Sequence, residues 1–238
     1  VRFLPAGDTA IVVELGNAID RALSERVLAL AQALRLAAPL GLVEVVPTFR
    51  SLLVHYDPRF TSGKDVMAAI RALTDANHRV ARPKRRWTIP ACYAPELAPD
   101  LAEVAERTGL TTEAVVTRHA ETEFHIYMIG FAPGHPYMGD LPADLALPRR
   151  AEPRLRVPAG SIAVASTLSV IHPVENPTGW HVIGATPVRL FDPSWEQPSL
   201  MAPGDAVRFE PVSLGEFTAI RNAIEAKAFT PVSERIEP

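Results

Sequence analysis

Leu42-Val-Glu-Val-Val-Pro-Thr-Phe-Arg-Ser-Leu-Leu-Val-His-Tyr56 reads as two strands, 42–46 and 51–56, joined by a hairpin-length connection from Pro47 to Arg50. Upstream, residues 18–37 predict a helix, because Leu23, Val27, Leu30, Leu34 and Ala37 recur at three- and four-residue spacing and make one apolar face. Pro39 and Gly41 end it. Before the helix, Thr9-Ala-Ile-Val-Val-Glu-Leu15 is apolar and β-branched, as a strand requires. After the hairpin, a helix from about Ser62 to Thr74 follows, with Ser62 as its N-cap. Strand, helix, strand, strand, helix suits a small α+β sandwich of ferredoxin-like type.

The rest of the chain has a different rhythm. His78 to Arg86, with Pro83 and five basic residues, marks a linker, and Lys84-Arg-Arg86 reads as its edge. The division is a domain over 1–82 and a second over 83–238. The second opens with short helices near 98–108, with Asp100 in the first turn and Gly109 ending it, and near 112–120. Short strands between Pro/Gly turns follow at 123–129, 161–166, 168–172, 181–184, 187–191 and 205–209, which argues for an antiparallel barrel or sandwich. A last helix opens on Ser213 and Glu216, a capping-box pair.

Composition narrows the function classes. With 47% hydrophobic and 21% charged residues, 238 residues can bury a real core. A net charge of −3 gives no basic field for nucleic acid. The most apolar run, Val27 to Val46, is interrupted by Arg35, Pro39 and Glu44 and cannot span a bilayer. No signal-peptide pattern opens the sequence, so the cytoplasm is the expected location. Cys92 is the only cysteine, lies in an apolar context and reads as a buried inert thiol. The seven histidines form no zinc-ligand pattern, and no metal is expected.

Three segments could carry chemistry. Ile129 to Leu141 packs Gly130, Pro133, Gly134, Pro136 and Gly139 around Phe131, His135 and Tyr137, a stiff loop whose bare amides can approach a ligand. Leu147 to Ser161 sets Arg149, Arg150, Arg154 and Arg156 in a proline-braced loop ending at Gly160, and guanidinium groups grip carboxylates and phosphates bidentately. Ile171 to Gly184 supplies His172 and, after a Pro-Thr-Gly turn, Trp180 as a broad pocket wall. Each segment also has a plain structural reading: a rigid turn, a solvated loop, a core plug. There is no phosphate-binding Gly-rich loop and no nucleophile elbow, so no complete catalytic site is recognisable in this chain alone.

These segments, with Arg2 to Asp8, Val43 to Pro58, Pro177 to Pro187, Leu190 to Pro193 and Pro203 to Asp205, make the chain resemble the family of 5-oxoprolinase B subunits, also described as kinase-A inhibitor and allophanate hydrolase subunit 1. The resemblance implies a ferredoxin-like N-terminal domain and a cyclophilin-like β-barrel. It implies a C subunit of similar barrel fold and an A subunit as partners, with ATP and Mg acting through the complex to open the lactam of 5-oxoproline to glutamate. A lactam is a resonance-stabilised amide, and its activation would need anion-holding groups, for which the glycine loop and Arg149 or Arg154 are candidates. His119 or His172 would shuttle a proton. Expected catalytic residues are therefore His119, His172 and Arg154. Expected substrate contacts run through Gly130, Phe131, Pro133, Gly134, His135 and Tyr137, with Arg149, Gly160 and Trp180. Two other branches remain open: a histidine-kinase inhibitor, and the carboxyltransferase half of a urea carboxylase-type complex working with biotin. The sequence departs from the family pattern at Leu168, where relatives carry a Gln whose amide could bond a lactam or urea, at His172 in place of Tyr and at His135 in place of Phe, and also at Met138 and Thr178.

Overall fold

The computed structural model describes residues 1–75 and 84–236. The chain divides into two compact units, one ending before Lys84 and one starting there. Most of the linker expected at 78–86 lies outside the described residues.

The first unit contains β1 (Arg2–Pro5), β2 (Ala10–Glu14), α1 (Arg21–Ala37), β3 (Leu42–Pro47), β4 (Ser51–Tyr56) and α2 (Gly63–Asp75). Its sheet has the order β1-β2-β4-β3, with every neighbour antiparallel. Side chains alternate along a strand, so Ile11 and Val13 of β2 and Leu52 and Val54 of β4 share one face. Val27, Leu30 and Leu34 of α1 and Val66 and Ile70 of α2 complete that cluster. Asp20 caps α1 by accepting from the Leu23 amide at 2.7 Å, and Ser62 caps α2 by accepting from the Asp65 amide at 3.2 Å. The sequence pattern does not reveal β1, because this edge strand is largely exposed and has no apolar alternation.

The second unit begins with β5 (Lys84–Ala91), α3 (Leu101–Thr108), α4 (Thr112–Glu121), β6 (Phe124–Ile129) and β7 (Pro136–Gly139). It continues through β8 (Arg154–Val157), β9 (Ser161–Ala165), β10 (Leu168–Ile171), β11 (Asn176–Thr178) and β12 (His181–Ala185). It ends with β13 (Ala206–Pro211), α5 (Leu214–Glu225) and β14 (Val232–Ile236). Eight strands form one sheet in the order β12-β9-β10-β7-β6-β13-β5-β14, and β8 with β11 forms a separate ribbon. Among the described residues only β13 and β5 pair in parallel.

The expected barrel does not close. β14 occupies the free edge of β5 from Lys84 to Thr88, leaving only the end of that edge for β12. There Cys92 bridges Ala185, with N–H···O bonds of 2.8 and 2.9 Å. The β12-β9-β10 end of the sheet is buried on both faces. Ile162, Ile171 and Ile183 face the main core with Phe124, Ile126 and Met138. On the opposite face Ala163, Val170, Trp180 and Val182 form a smaller cluster.

Other expectations need correction. Residues 187–191 form no strand, although Phe191 makes one bridge to Ser199. The basic run 84–86 is part of β5 and not a linker edge; Arg86 bonds Glu123 and Glu234, each at 2.7 Å. The capping box Ser213/Glu216 is present, and Cys92 is buried. Among the described residues no helix is long and apolar enough to cross a membrane.

Asp205 ties the start of this sheet together. Its buried carboxylate accepts from the amides of Arg85 and Ala202 and from the Trp87 indole N–H, each at 3.1 Å. Asp205→Ala strands these donors, and we expect a loss of about 1.5–3 kcal/mol in chemical denaturation. A change within experimental error would show that water replaces the carboxylate.

Candidate functional site

The glycine loop connects β6 to β7. Its ends are tied by the Gly130 amide donating to the His135 carbonyl at 3.1 Å. Gly134 has φ 74°, and a Cβ there would lie 2.7 Å from the Cβ of Phe191 and 3.0 Å from the Leu190 carbonyl oxygen, so only glycine lets this loop seat against 190–191. Phe131 also lies in the left-handed region, at φ 69°, and is 69% exposed. A non-glycine residue held there carries backbone strain of the kind found at ligand sites. The loop turns His135 inward, where its ring centroid is 4.9 Å from that of Tyr137 and 5.1 Å from that of His172.

His172 follows β10, held by its amide donating to the Ser161 carbonyl at 2.9 Å and its carbonyl accepting from the Gly160 amide at 2.7 Å. Trp180 closes the opposite side, edge-on to Tyr137 with centroids 6.1 Å apart, and Arg149 lies over its ring at 5.8 Å. Phe131, His135, Tyr137, Arg149, His172 and Trp180 line one pocket of about 150 Å³, completed by Val170 and the turn 177–179. That is smaller than the ~300–1,000 Å³ of pockets for drug-sized ligands, and suits a small metabolite.

Several polar atoms at and beside the pocket lack partners. His135 Nδ1, both ring nitrogens of His172 and both amide atoms of Asn176 are buried without hydrogen-bond partners. Buried polar atoms are normally bonded, and orphans call for an explanation such as a missing ligand. Burial pushes His172 down to about 4, opposed by the neighbouring Asn176 amide, whose contact lacks the geometry of a formed hydrogen bond. Burial, with the adjacent His172, pushes His135 to about 3. Both rings are therefore neutral near pH 7, and each presents one donor and one acceptor. Arg149 is the only charged group on the lining, and it has no carboxylate partner among the described residues.

Other expected residues lie elsewhere. Gly130, Pro133 and Gly134 shape the loop but do not line the pocket. His119 is not at the surface of any pocket wall: it is fully buried, with Nδ1 2.8 Å from the Tyr93 hydroxyl and Nε2 3.0 Å from Ser169 Oγ, and it stacks on Phe209. Burial lowers it to about 3, so this ring serves as a core residue and not as the expected shuttle. Arg154 is likewise engaged: its Nε donates to Asp100 Oδ2 at 3.1 Å, and its Nη2 bonds Oδ1. Arg150 Nη1 donates to the same Oδ1 at 2.7 Å, and the Val182 amide donates to Oδ2 at 2.8 Å. Burial alone would raise the Asp100 pKa; Arg154, the Val182 amide and Arg150 together overcome it and hold the carboxylate ionised. The Arg150 amide also donates to the Gly179 carbonyl at 2.8 Å, which fixes Arg149 beside Trp180.

The sequence reading missed Asn176 and misjudged Asp100. Nothing in the sequence singled out Asn176, which precedes the Pro-Thr-Gly turn, and Asp100 looked like an ordinary first-turn acid; its side chain makes no cap. Among the described residues no group of three or more His, Cys, Asp or Glu could hold a metal ion.

The family model of the carboxyltransferase domain, subdomain C and D, matches residues 1–201. The B subunit of 5-oxoprolinase from Escherichia coli O157:H7 is 37% identical over 209 residues, covering 88% of this chain and 95% of that protein. The crystal structure of TTHA0988 is similar at 37% identity and a TM-score of 0.77, over 85% of this chain. This chain spans only 40% of the TTHA0988 chain. The urea amidolyase of K. lactis shares the fold, with a TM-score of 0.81 over 98% of this chain at 18% identity. The chain belongs to the family of carboxyltransferase domains, subdomain C and D, that includes the B subunits of 5-oxoprolinase.

Proposed function

We propose that this chain is the B subunit of an ATP-dependent 5-oxoprolinase, hydrolysing 5-oxoproline to glutamate together with C and A subunits, and that the pocket between the glycine loop and Trp180 receives the substrate. The carrying observation is the set of unpartnered buried polar atoms around one uncompensated guanidinium. A lactam acid offers a carboxylate for Arg149, a flat ring for the Trp180 and Tyr137 walls, and an amide N–H and C=O for the neutral imidazoles of His135 and His172. ATP with Mg would supply activation of the lactam oxygen. The residues of this chain bind and orient the substrate and exclude water. In this reading the two units are a ferredoxin-like domain and a cyclophilin-like one, and the complex is cytoplasmic. A second reading, favoured by the carboxyltransferase family match, is carboxyl transfer with a biotin-bearing partner.

The test is the complex reconstituted from the three subunits and assayed for ATP-dependent release of glutamate from 5-oxoproline. Activity that requires this chain supports the proposal. Inactivity with 5-oxoproline, together with transfer of carboxyl from a biotinylated partner to urea, would replace it by the second reading.

Within the active complex, Arg149→Ala removes a charge-assisted bond worth about 1.5–3 kcal/mol. We expect substrate affinity to fall about tenfold or more with little change in melting temperature, and Arg149→Lys to restore only part of it. Arg154→Ala acts on stability instead. It leaves Asp100 with Arg150 and the Val182 amide and lowers the folding free energy by about 1–3 kcal/mol. The opposite pattern, activity lost at Arg154 and stability lost at Arg149, would exchange their roles.

The histidines give a pH signature. Their folded-state values lie below the ordinary 6.5, so the unfolded chain binds protons more readily. Stability should be full above about pH 6.5 and fall on acidification towards the folded values, and ring NMR signals of His172 should titrate near 4. A His172 midpoint near 6.5 would mean that the pocket is wet and the orphaned atoms are satisfied by solvent.

A further inference from the structure

β8 and β11 form a ribbon apart from the main sheet, and β8 borders a groove of about 620 Å³ that is separate from the pocket at Trp180. The two concavities leave different things open. The unpartnered buried polar atoms lie at and beside the Trp180 pocket, and none of them belongs to a residue lining the groove. What the groove offers is an apolar floor with an exposed basic rim. Leu97, Val182, Ala185, Val188 and Phe217 supply the apolar part. Arg154, Arg156, Arg189 and Arg221 supply the charge, against Glu96 as the single acidic side chain of the lining. An apolar centre inside an arginine-bearing polar rim is the anatomy of a surface that binds protein.

Three of the four arginines are open to exchange. Arg154 is committed to Asp100. Arg156, its side chain 82% exposed, approaches Glu175 at 3.4 Å, and exposed pairs of this kind contribute little. Arg189 shares Asp192 with the amide and hydroxyl of Ser194, so Asp192 stays bonded when Arg189 turns away. Arg221 lies over the Phe217 ring at 5.9 Å and makes no ion pair among the described residues. These three cations come from β8, from the segment after Pro187 and from α5, so they suit several separate carboxylates.

The walls are stiff. Pro99, Pro158, Pro173 and Pro187 stand on them, which lowers the ordering cost of binding. Gly160, at φ 85°, packs so closely that a Cβ would lie 2.2 Å from the Thr186 carbonyl oxygen, so only glycine lets these two walls meet. Next to lining residues, Leu155 on β8 is 86% exposed and Val174 before β11 is 44% exposed. A small molecule inside the groove leaves both in water, whereas a chain running out along the ribbon covers them.

We propose that this groove docks an extended acidic segment of a partner protein, with one aromatic or branched aliphatic side chain on the floor beside Phe217 and carboxylates on either side paired with Arg156, Arg189 and Arg221. Guanidinium groups meet carboxylates in bidentate pairs. The net charge of −3 repels an acidic segment from the chain as a whole, so this local cluster decides where it lands. The inference goes beyond the oxoprolinase reading and does not depend on what the Trp180 pocket binds.

The experiment is fluorescence anisotropy of the purified full chain with a labelled, end-blocked peptide Glu-Glu-Phe-Glu-Glu, repeated at raised salt. Control peptides carry Gln for every Glu, or Ala for Phe, and tripolyphosphate is titrated as a competitor. We expect saturable binding that weakens with salt, with each control peptide about tenfold weaker or more. Arg156→Ala and Arg221→Ala should each weaken the acidic peptide about tenfold, whereas Arg149→Ala should leave it unchanged. Melting temperatures are recorded beside each titration; should Arg221→Ala destabilise the fold, the exposed Arg156 carries the test alone. No saturable binding at millimolar chain overturns the proposal. Equal binding of the Gln peptide overturns the charge pairing, equal binding of the Ala peptide overturns the apolar anchor, and displacement by tripolyphosphate at lower concentration than by unlabelled peptide makes the groove a small-anion site instead. Loss of binding in Arg149→Ala with Arg156→Ala unaffected moves the peptide to the Trp180 pocket and overturns the assignment to this groove.

Discussion

The buried carboxylate of Asp100 holds the loop that carries Arg149 and Arg150 in shape. It takes bonds from Arg150, Arg154 and the Val182 amide, so one side chain joins the start of α3, the arginine loop and β12. A buried charge without partners would be strongly unfavourable, and one with two guanidinium groups and an amide is satisfied. The consequence lies in the neighbours. Arg150 is fixed by Asp100, by Glu103 at 2.7 Å and through its amide by Gly179, and Arg149 is placed over Trp180 as a result. Arg154, fixed by the same carboxylate, sets the position of β8. A polar network of this kind contributes little net stability against an apolar core; what it provides is one geometry for a loop that prolines alone would leave with several.

The pocket at Trp180 shows how a site on a sheet face can have apolar walls and polar groups at once. Trp180 and Tyr137 supply apolar walls, and β9, β10 and β12 bury the floor behind them. Low local polarity drives the histidines neutral, and neutrality lets each ring accept as well as donate. Protonated rings would offer only donors and would repel Arg149. The same low polarity strengthens whatever bond Arg149 makes with an anion. Burial, the histidine charge state and the strength of the guanidinium anchor are therefore one property of the site.

Regular elements with apolar alternation were legible in the sequence: α1, the β3–β4 hairpin, β9, β10 and the capping box of α5. The glycine loop, Arg149 and the stretch 172–180 meet at one pocket, whereas Arg154 does not line it. What escaped depends on distance. β1, β8 and β14 are largely exposed and carry no alternation. Nothing near Cys92 indicates that it pairs with Ala185, nor that β14 covers the edge a barrel would need. His119 and His172 look alike in sequence; one falls between Tyr93, Ser169 and Phe209 in the core and the other on a pocket wall. Arg149 and Arg154 also look alike, and only the position of Asp100 separates an available cation from a spent one.

That dependence on distance also changes the meaning of the departures from the family pattern. His135 and His172 stand at motif positions far apart in sequence, yet their rings are 5.1 Å apart on one wall. Together they are two neutral imidazoles with three unfilled nitrogens between them. Leu168 packs on the neighbouring cluster with Tyr137 and Trp180 and does not line the pocket. The unfilled hydrogen-bonding capacity of the pocket therefore lies on the histidine wall. A ligand anchored at Arg149 against Trp180 would present its polar edge to that wall.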